Sequence, residues 1–210
     1  MVRFSIEPTR TALLLIDLQR VFVEGAPWAA PDGLAVAKRL ARLAGICREH
    51  HITVIHTVHV VRADGSNTGV MREIVPLIAD GLIDESSPLA ELHPLADFRS
   101  EDILIRKPRF GAFHGTDLEL ILRTAQIDTL LIGGIATHVC CDTTAREATA
   151  RDFKVLFLSD GTACFSLPGT GTGPVGADDL QRAVLATLAF GFGEVLSVDS
   201  AIHRIRNGST

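Results

Sequence analysis

Lysine is scarce in this 210-residue chain: Lys38, Lys107 and Lys154 are the only three among 20 basic residues, and the rest are arginine. Any chemistry that needs an ammonium group therefore has few candidates. Cysteine is scarce too, with Cys47, Cys140, Cys141 and Cys164 alone. Four thiols over this length are too few for a disulfide scaffold and predict a reduced, cytoplasmic setting. No apolar run approaches the roughly 18 residues of a membrane span, and the opening MVRFSIEPTR has no signal-peptide core. Positive charge is not in excess either: 25 acidic residues leave a net charge of −5 and a pI near 5.9. That balance argues against nucleic acid as the main partner.

What remains is an ordinary globular composition, 47% hydrophobic and 21% charged. It suits neither a disordered chain nor a coiled coil, and the length predicts one domain over residues 1–210 with a sizeable core. Short apolar runs alternate with amphipathic stretches. Thr11–Ile16 (TALLLI), Ile52–Val61, Ile103–Arg106, Thr129–Ile132, Lys154–Leu158 and Glu194–Val198 read as six strands. Between them, Leu34–His50, Thr116–Ala125, Thr137–Asp152 and Ala177–Phe190 read as helices; Leu34, Ala37, Leu40, Ala41, Leu43, Ala44 and Cys47 supply one apolar face of the first. Thr116 is the expected N-cap of its helix. Residues 62–101 carry Pro76, Pro88 and Pro94 and leave room for only a short helix over Val70–Ile78, while Leu167–Gly176 reads as a loop. Alternating strands and helices with uniformly apolar strands predict an α/β fold: a doubly wound, mainly parallel six-stranded sheet with helices on both faces, Rossmann-like in architecture. Such sheets place their chemistry beyond the carboxyl ends of the strands.

Three residues fall at such ends: Asp17 after the first strand, Lys107 after the third, and Cys140 beyond the fourth at the start of a helix. Singly, each has a structural reading as a turn residue, a solvated loop residue and a small core residue. Together they put an acid, a cation and a nucleophile on one rim. A thiol in the first turn of a helix beside an ammonium is expected to have a lowered pKa. Asp17 can take the thiol proton and deliver it to a leaving amine, and backbone N–H groups of the Gly134–Cys140 turn can form an oxyanion hole.

The segments Gly134–Cys140 (GIATHVC) and Asp142–Ala148 (DTTAREA) resemble the signature of the isochorismatase-like cysteine hydrolases. Ala12–Gln19 (ALLLIDLQ) with Phe22 is similar to that family's opening strand, and Lys107–Phe113 (KPRFGAF) followed by Gly115–Leu118 is similar to its lysine segment. The resemblance implies an Asp17–Lys107–Cys140 triad, a cis peptide between Ile135 and Ala136, and an oxyanion hole made by the N–H groups of Ala136 and Cys140. It implies hydrolysis of a small amide or ureide through a thioester, with no metal or cofactor. It also implies a homo-oligomer, dimer or tetramer, in which residues 62–101 or the loop 167–176 cover a neighbour's site.

Cys141 competes with Cys140, but adjacent helical residues point about 100° apart, and the family register selects Cys140. Nicotinamidases of this family carry a metal-binding Asp-x-His after the second strand. Here His56-Thr57-Val58-His59 stands instead, with its two histidines on opposite strand faces. Isochorismatases share the His138 position but have glycine where this chain has Cys140, which favours amide over vinyl ether chemistry. The sequence is most similar to the branch acting on ureidoacrylate, biuret and related carbamoyl compounds. Phe22, Trp28, Phe110 and Phe113 are candidates for the pocket wall, Arg62, Arg109 and His114 for a substrate carboxylate, and His138 for substrate contact or helix capping. Two rival readings stay open: a vinyl ether hydrolase using Asp17 without covalent catalysis, and a binding protein on the same fold.

Overall fold

The computed structural model describes residues 2–25, 28–169, 171 and 173–208. Six strands, β1 (Thr11–Ile16), β2 (Thr53–His59), β3 (Ile103–Lys107), β4 (Thr129–Ile135), β5 (Lys154–Ala163) and β6 (Glu194–Leu196), form one sheet in the order β3-β2-β1-β4-β5-β6. Every pairing is parallel. Parallel pairing requires crossovers, and helices supply them on both faces.

The period-two alternation of the strands divides the interior into two cores. Leu13 and Leu15 point into one, covered by α1 (Gly33–Glu49) and, at the far end of the chain, by the helix Val198–Asn207. Ala12, Leu14 and Ile16 point into the other, covered by α2 (Leu118–Thr124), α3 (Asp142–Thr149) and α4 (Ala177–Gly191). β1 is buried throughout, which is why its sequence is apolar at every position rather than at alternate ones. The order of the strands reverses at β1, whose two neighbours are β2 and β4, so the crevice of this doubly wound sheet opens at their carboxyl ends.

The structure corrects several sequence-based boundaries. The stretch 198–207 after β6 is a helix, α5, with its start and stop signals in place: the Ser197 hydroxyl accepts the Ser200 N–H, Asp199 sits in the first turn, and Arg204 and Arg206 sit in the last. Arg204 then turns inward, pairing with Glu194 at 2.6 Å and donating to the Phe4 carbonyl. Residues 137–152 do not form one helix: Thr137–Cys141 is a single π-type turn, followed by α3. The short helix over 70–78 is broken at Val75, because Pro76 opens a second turn over Pro76–Ala79. Leu34 is exposed, and Val36 takes its place on the buried face of α1. Thr116 lies one residue outside the N-cap, Asp117, yet its hydroxyl still accepts the Leu118 N–H.

Residues 62–101 are irregular but tied down. Val61 and Glu85 donate to the carbonyls of Ile83 and Val61, His93 N–H donates to Leu18, and Arg48 holds both Asp97 and Asp102. No helix among the described residues is long and apolar enough to cross a membrane.

Gly134 shows how closely the crevice is built. At φ +138° it lies against β1, and a Cβ there would stand 2.1 Å from the Ile16 carbonyl oxygen. Gly134→Ala is expected to destabilise the protein by more than about 2 kcal/mol, read as a lower urea midpoint. Gly45→Ala, in open space on α1, is the control and is expected to stabilise by about 0.5–1 kcal/mol.

Candidate active site

Asp17 follows β1 directly and adopts φ +49°, a left-handed conformation that Asp tolerates better than most residues. Its N–H donates to the Thr57 hydroxyl at 3.2 Å, and that hydroxyl donates back to Asp17 Oδ1 at 2.5 Å. Lys107 ends β3, two strands from β1 and so roughly 10 Å across the sheet. Its four-carbon stem covers that span and places Nζ 2.7 Å from Asp17 Oδ2. Nζ also donates to the carbonyls of Arg109 at 3.0 Å and Phe110 at 2.9 Å. Both side chains are completely buried. Asp17 Oδ2 is ion-paired, yet it accepts no hydrogen bond of good geometry among the described residues.

Cys140 sits in the π-type turn between β4 and α3, within hydrogen-bonding reach of both Asp17 and Lys107. Thr144 on α3 donates to the Cys140 carbonyl at 2.7 Å and accepts the Ala112 N–H at 3.1 Å, so one hydroxyl joins the loop after β3 to the cysteine turn. The Ile135–Ala136 peptide bond at the head of that turn is cis. The Ala136 carbonyl accepts the N–H groups of Val139 and Cys141, which flank Cys140. Ala136 and Cys140 both line a cavity of about 370 Å³.

The electrostatics differ from the lowered thiol pKa expected from sequence. Burial is the largest influence on Cys140 and pushes its pKa up. The Lys107 ammonium opposes this, but the Asp17 carboxylate beside it cancels much of that help. The resting nucleophile is thus a thiol. Burial works against the Lys107 charge as well, but Asp17 and Cys140 outweigh it and the net shift is upward. It follows that alkylation of Cys140 by iodoacetamide is expected to be slow at pH 7 and to climb about tenfold per pH unit through pH 9. A rate that plateaus below pH 7.5 contradicts the thiol assignment.

His59 ends β2 and completes the floor of the cavity. Gln19, fully buried, fixes it: its Oε1 accepts the His59 N–H at 2.8 Å and its Nε2 donates to the His59 carbonyl at 3.1 Å and to the Ala90 carbonyl at 2.7 Å. Burial, with the Lys107 charge adding to it, holds the imidazole well below its usual pKa despite a contact to the Pro108 carbonyl. The imidazole is neutral, and Nε2 has no hydrogen-bond partner among the described residues. Donor atoms of Asp17, His59 and Cys140 lie within 4.8 Å of one another. A cation held by all three would face the Lys107 ammonium that Asp17 already pairs with, so the set suits proton transfer better than metal binding. His56, on the other face of β2, is buried beside Asp102 and meets the exposed Phe98 edge-on, and burial lowers its pKa to about 4.

Of the remaining candidates, Phe22, Trp28 and Phe110 line the cavity. Phe113 does not: it stacks on Phe153 and under Arg151 in the second core. Arg62 and His114 are exposed and outside the cavity. Arg109 is tied by Nη1 to the carbonyls of Asn67 and Pro108. His138 packs edge-on against Phe165 and is not part of the lining, and neither ring nitrogen has a partner among the described residues, so it caps no helix. Cys47, pushed up to about 12 by burial, and Cys141, also raised by burial, are buried in the two cores. Gln19, Thr57, Leu77 and Phe165 were not among the sequence candidates. Gln19 and Thr57 had a signal, a polar side chain at or beside a strand terminus facing the crevice. Leu77 and Phe165 lie in irregular segments, which have no periodicity to reveal them.

Comparison with known proteins places the fold in a family. The isochorismatase domain model matches residues 11–200. A cysteine hydrolase from Pseudomonas syringae pv. phaseolicola 1448A superposes with a TM-score of 0.94 at 36% identity, covering 98% of this chain and 96% of that one. Nicotinamidase 3 of Arabidopsis thaliana is 30% identical over 190 residues, covering 90% of this chain and 85% of the relative. Enterobactin synthase component B of Escherichia coli (strain K12) is 30% identical over 165 residues, 79% of this chain, and the chain spans only 56% of that protein. The chain belongs to the isochorismatase family of hydrolases.

Proposed function

We propose that the protein is a cysteine amidohydrolase that cleaves the C–N bond of a small amide, ureide or carbamoyl compound through a thioester on Cys140. The observation that carries this reading is the buried Asp17–Lys107 pair at 2.7 Å, with the Cys140 thiol beside it and lining a cavity. Asp17 takes the thiol proton as sulfur attacks the carbonyl carbon, and the N–H groups of Ala136 and Cys140 hold the developing oxyanion. Asp17 returns the proton to nitrogen, the C–N bond breaks, and ammonia or an amine leaves. Water, activated by the same carboxylate, then attacks the thioester and restores the thiol. Lys107 stays charged throughout and keeps Asp17 placed. The likeness to a nicotinamidase and to a solved cysteine hydrolase supports amide chemistry, although the family also includes proteins named for isochorismatase activity.

The vinyl ether alternative needs no thiol at position 140, whereas here a thiol is present and in contact with an acid. A panel of small amides, ureides and carbamoyl compounds assayed for ammonia, with isochorismate as control, tests the reading. Ammonia release from at least one amide without isochorismate turnover is expected; turnover of isochorismate alone contradicts it.

A further inference from the structure

The amidohydrolase reading leaves open what the scissile amide is attached to, and the cavity wall bears on that question. Its lining includes Phe22, Trp28, Val75, Leu77, Phe110 and Phe165, and among the described residues its only ionisable members are His59 and Cys140. Both are uncharged at rest, the first because burial and Lys107 disfavour the imidazolium, the second because burial disfavours the thiolate. The Asp17–Lys107 pair lies outside the lining and is already neutralised internally. A substrate carboxylate therefore finds no cation to meet. Arg62 is exposed outside the cavity, Arg109 is tied to backbone carbonyls, and His114 is exposed. Burying an unpaired carboxylate against such a wall is strongly unfavourable.

Trp28 Nε1 is a donor on that wall with no partner among the described residues, and the acceptors of the site lie at the other end. His59 Nε2 is a buried acceptor without a hydrogen-bond donor among the described residues, and Asp17 Oδ2, ion-paired with Lys107 at 2.7 Å, accepts no further hydrogen bond there; an oxygen of Asp17 and a ring nitrogen of His59 lie within 4.8 Å of the Cys140 sulfur. Two acceptors beside the nucleophile match the two N–H groups of an unsubstituted amide nitrogen, and a vinyl ether oxygen offers neither.

We propose that the physiological substrate is a primary carboxamide on an uncharged, apolar acyl group, with the acyl group against the aromatic and aliphatic wall and the NH₂ group between Asp17 and His59. This inference rests on the amidohydrolase reading and narrows it away from carboxylate-bearing ureido compounds.

The test compares two amides of similar length, hexanamide and glutaramate, by kcat/KM for ammonia release. Hexanamide is expected to be preferred by about 100-fold or more. Ile74→Arg supplies a cation at the cavity mouth, where the wild-type side chain is exposed, so folding is not at stake. It is expected to raise glutaramate turnover about tenfold and narrow the ratio accordingly. Glutaramate turned over as well as or better than hexanamide by the wild type overturns the inference while leaving the amidohydrolase reading standing. A ratio unmoved by Ile74→Arg overturns the placement of the acyl group. Absence of ammonia from every amide tried overturns instead the reading on which the inference rests.

Discussion

Cys140→Ala is expected to lower ammonia release by about 10³-fold or more while leaving the fold intact. Removing a nucleophile that forms the covalent intermediate removes the pathway itself, and what persists is the background of binding and oxyanion stabilisation. The thiol occupies a small buried site at the edge of the second core, so truncating its one sulfur is expected to cost about 1 kcal/mol, and circular dichroism and urea unfolding serve as the folding control. Cys140→Ser is expected to be nearly as inactive, because a hydroxyl is a far weaker acid than even a raised thiol and Asp17 has only a single lysine to support it. The vinyl ether alternative makes the opposite demand: activity that survives Cys140→Ala rules out the covalent route.

The buried pair of Asp17 and Lys107 separates catalysis from stability. Asp17→Asn leaves an ammonium with no exposure and no counter-charge, and breaking one side of such a pair costs about 3–5 kcal/mol. Lys107→Met leaves the carboxylate with no counter-charge, only the Thr57 hydroxyl and the Cys140 thiol, and strands the Arg109 and Phe110 carbonyls. Each single variant is therefore expected to be both destabilised and inactive. The double variant, Asp17→Asn with Lys107→Met, buries no charge and is expected to recover most of the lost stability while remaining at least about 10³-fold less active. Urea unfolding and ammonia release on the same four proteins read the two effects independently. A double variant as unstable as the worse single one contradicts the view that the pair is maintained against a desolvation penalty for the sake of chemistry.

The rim residues were legible in the sequence because two rules converge on them. Uniformly apolar strands mark a parallel sheet, and a parallel sheet gathers the residues at the carboxyl ends of its strands at one edge; Asp17 follows β1, Lys107 ends β3 and the turn holding Cys140 follows β4. α5 was missed: Ser197, Asp199 and the terminal arginines carry its start and stop signals, but its continuity with β6 in a short apolar run hid it. The pKa of Cys140 was not legible. Its sign depends on burial and on how fully Asp17 offsets Lys107, and neither quantity is encoded in a local motif. The same holds for Arg62, Phe113 and His114: their types suit a substrate site, but only the path of the chain decides that Phe113 turns into the second core and the other two into solvent. Leu77 and Phe165 reach the cavity from segments whose conformation is set by tertiary contacts rather than by periodicity.

Intact-protein mass spectrometry after rapid acid quench, with hexanamide as substrate, tests the covalent route most directly. The expected result is a species heavier than the free enzyme by the acyl group, 98 Da for hexanoyl replacing hydrogen (roughly the mass of the amide less ammonia), located on the peptide carrying Cys140 and absent from Cys140→Ala. Steady ammonia release with no adduct on Cys140, or an adduct on Cys141 or Cys164 in its place, contradicts it.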